Sequence, residues 1–220
     1  MKIAGDYLFE APQDIAWDAL LDPHVLASVL PGCDRLELIG ENEYEGQLKL
    51  KVGPIQGDFL GKVKLDHLAP PTSYEMTVDG RGAPGFVKAV AKISLAAEGE
   101  ATRFTYDSDA QVGGKIASVG QRLLESSARA IIKTALEGLG AAMKERAAAA
   151  KQVAAAGGSQ QQAAAAAAAV EITTPPPSQA AFAAGVAKEV ARDLVSPGVR
   201  RALIVAGLVV LAVLVAKLMF

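Results

Sequence analysis

From Tyr44 to Val112 apolar residues recur at every second position, and from Gly113 to about Arg146 they recur with a helical period. This switch constrains the fold more than any other feature of the chain. In YEGQLKLKVG, Tyr44, Gly46, Leu48, Leu50 and Val52 face one way and Glu45, Gln47, Lys49 and Lys51 the other. In IQGDFLGKVKLDH, Ile55, Phe59, Val63 and Leu65 alternate with Asp58, Lys62, Lys64 and Asp66, and Gly53-Pro54 turns one strand into the next. SYEMTVD, FVKAVAKISLAA and TRFTYDSDAQV continue the series, which predicts an antiparallel meander with one dry face. Upstream, IAGDYLFEAP predicts a strand, and APQDIAWDALLD and DPHVLASVLPG two short helices. Downstream, Ile116, Val119, Leu123, Leu124, Ile131 and Leu139 form an apolar arc opposite Arg122, Glu125, Arg129, Lys133 and Glu137. One long helix laid across a curved antiparallel sheet covers both apolar surfaces, so the expected class is α+β.

The expected dry face is short of bulk. Gly46, Gly57, Gly61, Ala89, Ala91, Ser108 and Ala110 fall in phase with the inward residues, and Gly120, Ser127, Ala130, Thr134 and Gly138 lie near the middle of the helical arc. Small residues on opposed surfaces either bring the surfaces into contact or leave space between them. We expect space, and hence a dry ligand cavity. Strand phase puts Leu48, Leu50, Val52, Phe59, Gly61 and Val63 on its first wall. Met76, Val78, Ala89, Ala91 and Ile93 follow, with Phe104, Tyr106 and Ser108 beyond them. Helix phase adds Val119, Gly120, Leu123, Ser127 and Ile131. The alternative is a filled core whose outer face recruits a partner.

No catalytic or metal constellation emerges. Gly80-Arg-Gly82-Ala-Pro-Gly85 matches GxGxxG, but the β-branched FVKAVAKISL after it is no helix, so the motif is a glycine-rich turn rather than a dinucleotide site. His24 and His67 have no ligand spacing to Cys33, the single cysteine. No nucleophile elbow is present. A net charge of −2 gives no electrostatic footprint for nucleic acid. The expectation is a protein that binds rather than catalyses.

Beyond the helix the composition changes. Residues 147–179 collapse to Ala, Gln, Gly, Ser and Pro, which predicts a tether interrupted at GGS and TTPPPS. Residues 180–196, AAFAAGVAKEVARDLVS, set Phe182, Val186 and Val190 opposite Lys188, Glu189, Arg192 and Asp193, as a helix on a membrane surface would. Residues 197–220 include the apolar run Ala202–Phe220, interrupted only by Lys217; at ~1.5 Å per residue it spans roughly 28 Å, close to a bilayer core. Arg200 and Arg201 flank its entry and Lys217 can snorkel at its far end, so we expect a C-terminal anchor. By the positive-inside rule residues 1–146 then face the cytoplasm. The N-terminal MKIAGDYLFEAPQD has no apolar signal core, so no secretory signal is expected.

LPGCDRLELIGENEYEGQLKLKVGPIQGDFLGKV and YDSDAQVGGKIASVGQRLLESSARAI resemble the carbon monoxide dehydrogenase CoxG family, within the START-like helix-grip superfamily of lipid-binding domains. The markers are Pro31-Gly32-Cys33, Gly53-Pro54-Ile55 and Val112-Gly113-Gly114-Lys115-Ile116, and the resemblance covers residues 1–143. It implies a helix-grip fold and an accessory protein of carbon monoxide dehydrogenase or a related molybdenum hydroxylase. It further implies recruitment of that enzyme to the cytoplasmic membrane and a respiratory quinone, menaquinone or ubiquinone, carried in the cavity. The family supplies no catalytic residues to transfer.

Overall fold

A computed structural model describes residues 1–170. The expected surface helix over 180–196, the apolar run with Arg200, Arg201 and Lys217, and residues 171–179 of the expected tether lie outside the described residues.

Strand β1 (Lys2–Phe9) leads through Ala11-Pro12 into α1 (Gln13–Leu21) and α2 (Pro23–Val29). Asp22 separates the helices and caps the second: its Oδ1 accepts from the backbone N–H of His24 at 2.9 Å and of Val25 at 3.4 Å, with Pro23 in the first helical turn. Strands β2 (Cys33–Gly40), β3 (Glu43–Val52), β4 (Ile55–Ala69), β5 (Ser73–Gly82), β6 (Gly85–Glu98) and β7 (Ala101–Gly113) follow. They form one antiparallel sheet of seven strands in the order β1-β7-β6-β5-β4-β3-β2. The alternation does not announce β2, because this edge strand leaves Leu38 and Ile39 in solvent. The GxGxxG match is the β5–β6 hairpin, with Ala83-Pro84 at its tip.

The long helix differs from its expected bounds at both ends. Strand β7 runs to Gly113, a 3-10 turn occupies Lys115–Val119, and α3 runs from Gln121 to Ala155. Gly114 at φ +85° and Gly120 at φ +89° sit in the left-handed region, which interrupts a right-handed helix and delays its start. At the other end, alanine's high helix propensity carries α3 past Arg146 into the segment expected as tether. A fourth helix, α4 (Gln160–Ala168), returns against α3 after the Gly157-Gly158 break and buries Ala167. Ser159 and Gln162 cap it reciprocally, at 3.2 and 2.8 Å. Among the described residues no helix is long and apolar enough to cross a membrane.

The densest core lies where α1, α2 and the second half of α3 meet the sheet. Phe9, Trp17, Val25, Leu95, Phe104, Leu139, Ala142 and Met143 are buried there. Trp17 meets Tyr74 edge-on at 5.7 Å. Buried polar groups in this region find partners: Thr102 Oγ1 donates to Ala11 O at 2.8 Å and the Tyr44 hydroxyl to Leu21 O at 2.9 Å. Arg146, 6% exposed, donates from Nη2 to Asp22 Oδ2 at 2.7 Å, so one carboxylate both caps α2 and holds α3. The outer sheet face carries exposed cross-strand ion pairs such as Lys62 with Glu45 and Lys92 with Glu75, each contributing little.

Burial alone would raise the Asp22 carboxyl. Hydrogen bonds from Arg146 and from the backbone of Val25 and His24 outweigh burial and hold its pKa below the usual carboxylate range. A carboxyl lowered by folding contributes its full stability above its unfolded value of ~3.9 and loses it as pH falls through the folded value. Replacing Asp22 with Ala therefore lowers stability by about 3 kcal/mol at pH 7, since it strands a buried guanidinium and removes a cap. The deficit relative to wild type shrinks in melts below about pH 3.9, which Trp17 fluorescence can follow. A deficit that stays the same down to strongly acidic pH would show that the ion pair holds nothing.

Candidate functional site

Between two apolar clusters the inner face of the sheet is thinly covered. One cluster is the main core described above. The other sits at the hairpin end, where Val52, Phe59 and Ile116 are buried and Leu50, Ile55, Val112, Val119, Leu123 and Leu124 pack against them. Of the residues expected to line a cavity, Leu50, Val52, Phe59, Val119 and Leu123 belong to this second cluster. Val63, Met76, Ala91, Ile93, Phe104 and Tyr106 belong to the first. Leu48, Gly61, Val78, Ala89, Ser108 and Ile131 belong to neither and are only half-buried, although the paired sheet residues share phase with the inward face.

The floor of this strip is a row of glycines. Gly46 of β3 pairs with Gly61 of β4, Gly61 with Gly80 of β5, and Gly80 with Val87 of β6. Both uses of a small residue occur on this face. Where a Cβ on Gly46 would stand, Leu36 Cδ1 lies 2.9 Å away, and on Gly57 the Pro84 ring lies 2.5 Å away: these two glycines admit a neighbour. A Cβ on Gly61 would find only Gly46 O at 3.9 Å, and one on Gly80 only Val87 O at 3.7 Å, among the described residues. Gly80 is nevertheless buried. A buried glycine with no side chain above it marks unfilled interior.

The helix leaves this space by standing off. Within the sheet, the backbone of α3 comes closest to β1 and β3, toward its two sides, rather than to β5 and β6 at its middle. Curvature brings the flanks up to the helix and holds the centre away. On the helix, Leu123 and Leu124 close the hairpin-end cluster, and Ile132 two turns on packs against the main core. Ser127 lies between them, 1% exposed.

One expected lining residue is misplaced. Gly120 lies at the N-cap of α3, exposed, with nothing within 4 Å of a Cβ. Its φ of +89° takes it out of the helix, so it cannot belong to the inward arc. Gly80, Leu36, Pro84 and Leu124, absent from the expected lining, shape the strip. Gly80 carried the signal, two positions beyond Val78 in the same phase.

The interior is neutral. Burial pushes the Tyr74 phenol well above its ordinary value and raises Tyr44 too, helped there by the negative charge of Asp22, so both stay protonated. Ser108 Oγ donates to Ile3 O at 2.9 Å. Among the described residues no cluster of three His, Cys, Asp or Glu side chains could hold a metal ion. The arrangement suits an uncharged, largely apolar guest.

Comparison with known proteins agrees with this architecture. The family model for carbon monoxide dehydrogenase CoxG matches residues 5–144. The crystal structure of a conserved protein from Geobacillus kaustophilus is 32% identical with a TM-score of 0.63, covering 66% of this chain and 96% of that one. A START superfamily protein from Mycobacterium smegmatis is 11% identical with a TM-score of 0.52, over 66% of this chain and 97% of its own. The aromatase/cyclase Zhui from Streptomyces sp. R1128 is 17% identical with a TM-score of 0.51, over 72% of this chain and 99% of its own. The last two likenesses show the fold alone. No curated protein matches the chain.

The glycine row makes opposite forecasts at neighbouring sites. Gly61→Ala and Gly80→Ala each add about 0.5–1 kcal/mol, because the methyl enters open space and glycine's extra unfolded-state entropy is removed. Gly57→Ala destabilises by about 1–3 kcal/mol, because the methyl meets the rigid Pro84 ring. Denaturation midpoints of the three variants test this, and losses at all three would mean a filled interior.

Proposed function

This chain belongs to the carbon monoxide dehydrogenase CoxG family, and from that premise we propose that it is a non-catalytic, membrane-tethered accessory protein that carries an isoprenoid quinone. Its partner on this proposal is carbon monoxide dehydrogenase or a related molybdenum hydroxylase, brought to the cytoplasmic face of the membrane. The observation that carries the ligand is the open interior above Gly61 and Gly80, neutral and lined by half-buried apolar side chains. The membrane tether rests on the apolar run from Ala202 and its flanking Arg200 and Arg201 in the sequence.

The energetics suit a carrier better than a store. Burying about 200 Å² of prenyl chain from water contributes roughly 5 kcal/mol. A quinone starting in lipid gains almost none of that, because its tail moves from one apolar surrounding to another. Exchange between bilayer and cavity is then nearly balanced, and the domain can both load and unload. Tethering keeps its effective concentration at the membrane high without any added contact.

Full-length protein extracted in mild detergent is expected to carry menaquinone or ubiquinone, detectable by mass spectrometry, and to take quinone up from vesicles. Gly61→Leu fills the open space and is expected to lower the quinone load at least tenfold, with circular dichroism and capture of the dehydrogenase unchanged. Wild-type protein that carries no quinone and takes none up would reduce the proposal to recruitment through a solid domain.

A further inference from the structure

We propose that the Ser127 hydroxyl donates a hydrogen bond to a carbonyl oxygen of the bound ligand, and so makes the cavity select a quinone over a hydrocarbon of the same shape. The proposal rests on the cavity reading above and assigns it a recognition residue.

Ser127 and its neighbour Ser126 treat the helix differently. Ser126 Oγ donates to Arg122 O at 2.9 Å, the usual way a buried helical serine satisfies itself. Ser127 is equally buried, at 1% exposure, and its Oγ has no partner. Other hydroxyls on the inner face are engaged: Tyr44 with Leu21 O, Ser108 with Ile3 O and Thr102 with Ala11 O. The second unpartnered buried atom among the described residues, Arg146 Nε, belongs to a guanidinium already paired with Asp22.

Position points the same way. Ser127 is one turn past Leu123 and one turn before Ile131, on the stretch of α3 that spans the two clusters. An unmet buried hydroxyl is unfavourable, and alanine would suit the helix better, so the serine is worth its cost only if something partners it. The partner's chemistry follows from the surroundings. No charged side chain belongs to either cluster's apolar lining, so a carboxylate or phosphate would enter without a counter-charge. A neutral carbonyl accepts one hydrogen bond and needs no charge to balance it. Because the prenyl tail moves between lipid and cavity at little net gain, this one polar contact weighs heavily in the exchange.

The test uses the full chain in detergent and two probes: menaquinone with two isoprene units, and 2-geranyl-3-methylnaphthalene, the same skeleton without ring oxygens. Ser127→Ala is expected to weaken quinone binding roughly threefold to tenfold, the worth of one hydrogen bond, and to leave binding of the hydrocarbon unchanged. The ligand-free variant should melt higher than wild type. In the infrared, one carbonyl stretch of the bound quinone should lie lower in wild type than in Ser127→Ala, a signature that a packing change alone does not produce. Equal quinone affinity in both proteins, with wild type still binding, overturns the role of Ser127 and leaves the cavity standing. Wild type that binds the hydrocarbon and rejects the quinone overturns the carbonyl as ligand chemistry. Wild type that binds neither probe overturns the cavity reading and this proposal with it.

Discussion

Everything in this domain depends on α3 being fastened at one half and lightly held at the other. From Ala135 to Ala147 its inward residues are buried against α1, α2 and β1, and the Asp22–Arg146 pair locks the end of that run to the helical corner. Toward its start, Leu123, Leu124 and Ile131 are half-buried and the facing sheet offers glycine and alanine. The first half has little to collapse onto. Collapse is also resisted by the covalent frame, because a curved sheet touching the helix at β1 and β3 sets a minimum distance at β5.

The consequence is an interior built in two qualities. Around Phe9, Trp17, Phe104 and Met143 it is packed as a core, with its polar groups paired. Between that core and the small cluster around Phe59 it is open, and the one serine buried there is left unpaired. A sequence optimised only for stability would place leucine opposite Ala89 and alanine at position 127. Unfilled space beside an unmet hydroxyl departs from the rules a core obeys, and such departures concentrate at functional sites.

Much of this was legible in the chain. Period-two alternation identified β3 to β7 and their inner faces, since a strand half in water must alternate. It missed β2, whose apolar residues include Leu38 and Ile39 in solvent at the sheet edge. The arc from Leu123 to Leu139 announced α3, yet its start was misjudged, because the left-handed conformations of Gly114 and Gly120 depend on the turn they make and leave no periodic mark. The small residues of the sheet were visible as a set, but whether each received a neighbour was not. Gly46 and Gly57 are filled by Leu36 and Pro84, contributed by a neighbouring strand and a neighbouring hairpin tip, and only the register reveals it. The isolation of Ser127 was equally hidden, since Ser126 beside it finds a carbonyl and composition cannot tell them apart.

A domain that passes an oily molecule between a bilayer and an enzyme has to bind it poorly enough to release it. Filling the strip with aromatic side chains would raise affinity and stability together and slow release. Leaving it lined by Gly, Ala, Val and Leu keeps the gain over lipid small, because dispersion contacts in a loosely filled pocket only match those in a membrane. Selectivity then has to come from a contact the bilayer interior cannot offer, and in hydrocarbon that is a hydrogen-bond donor. One neutral hydroxyl contributes enough to distinguish ligands and too little to trap them.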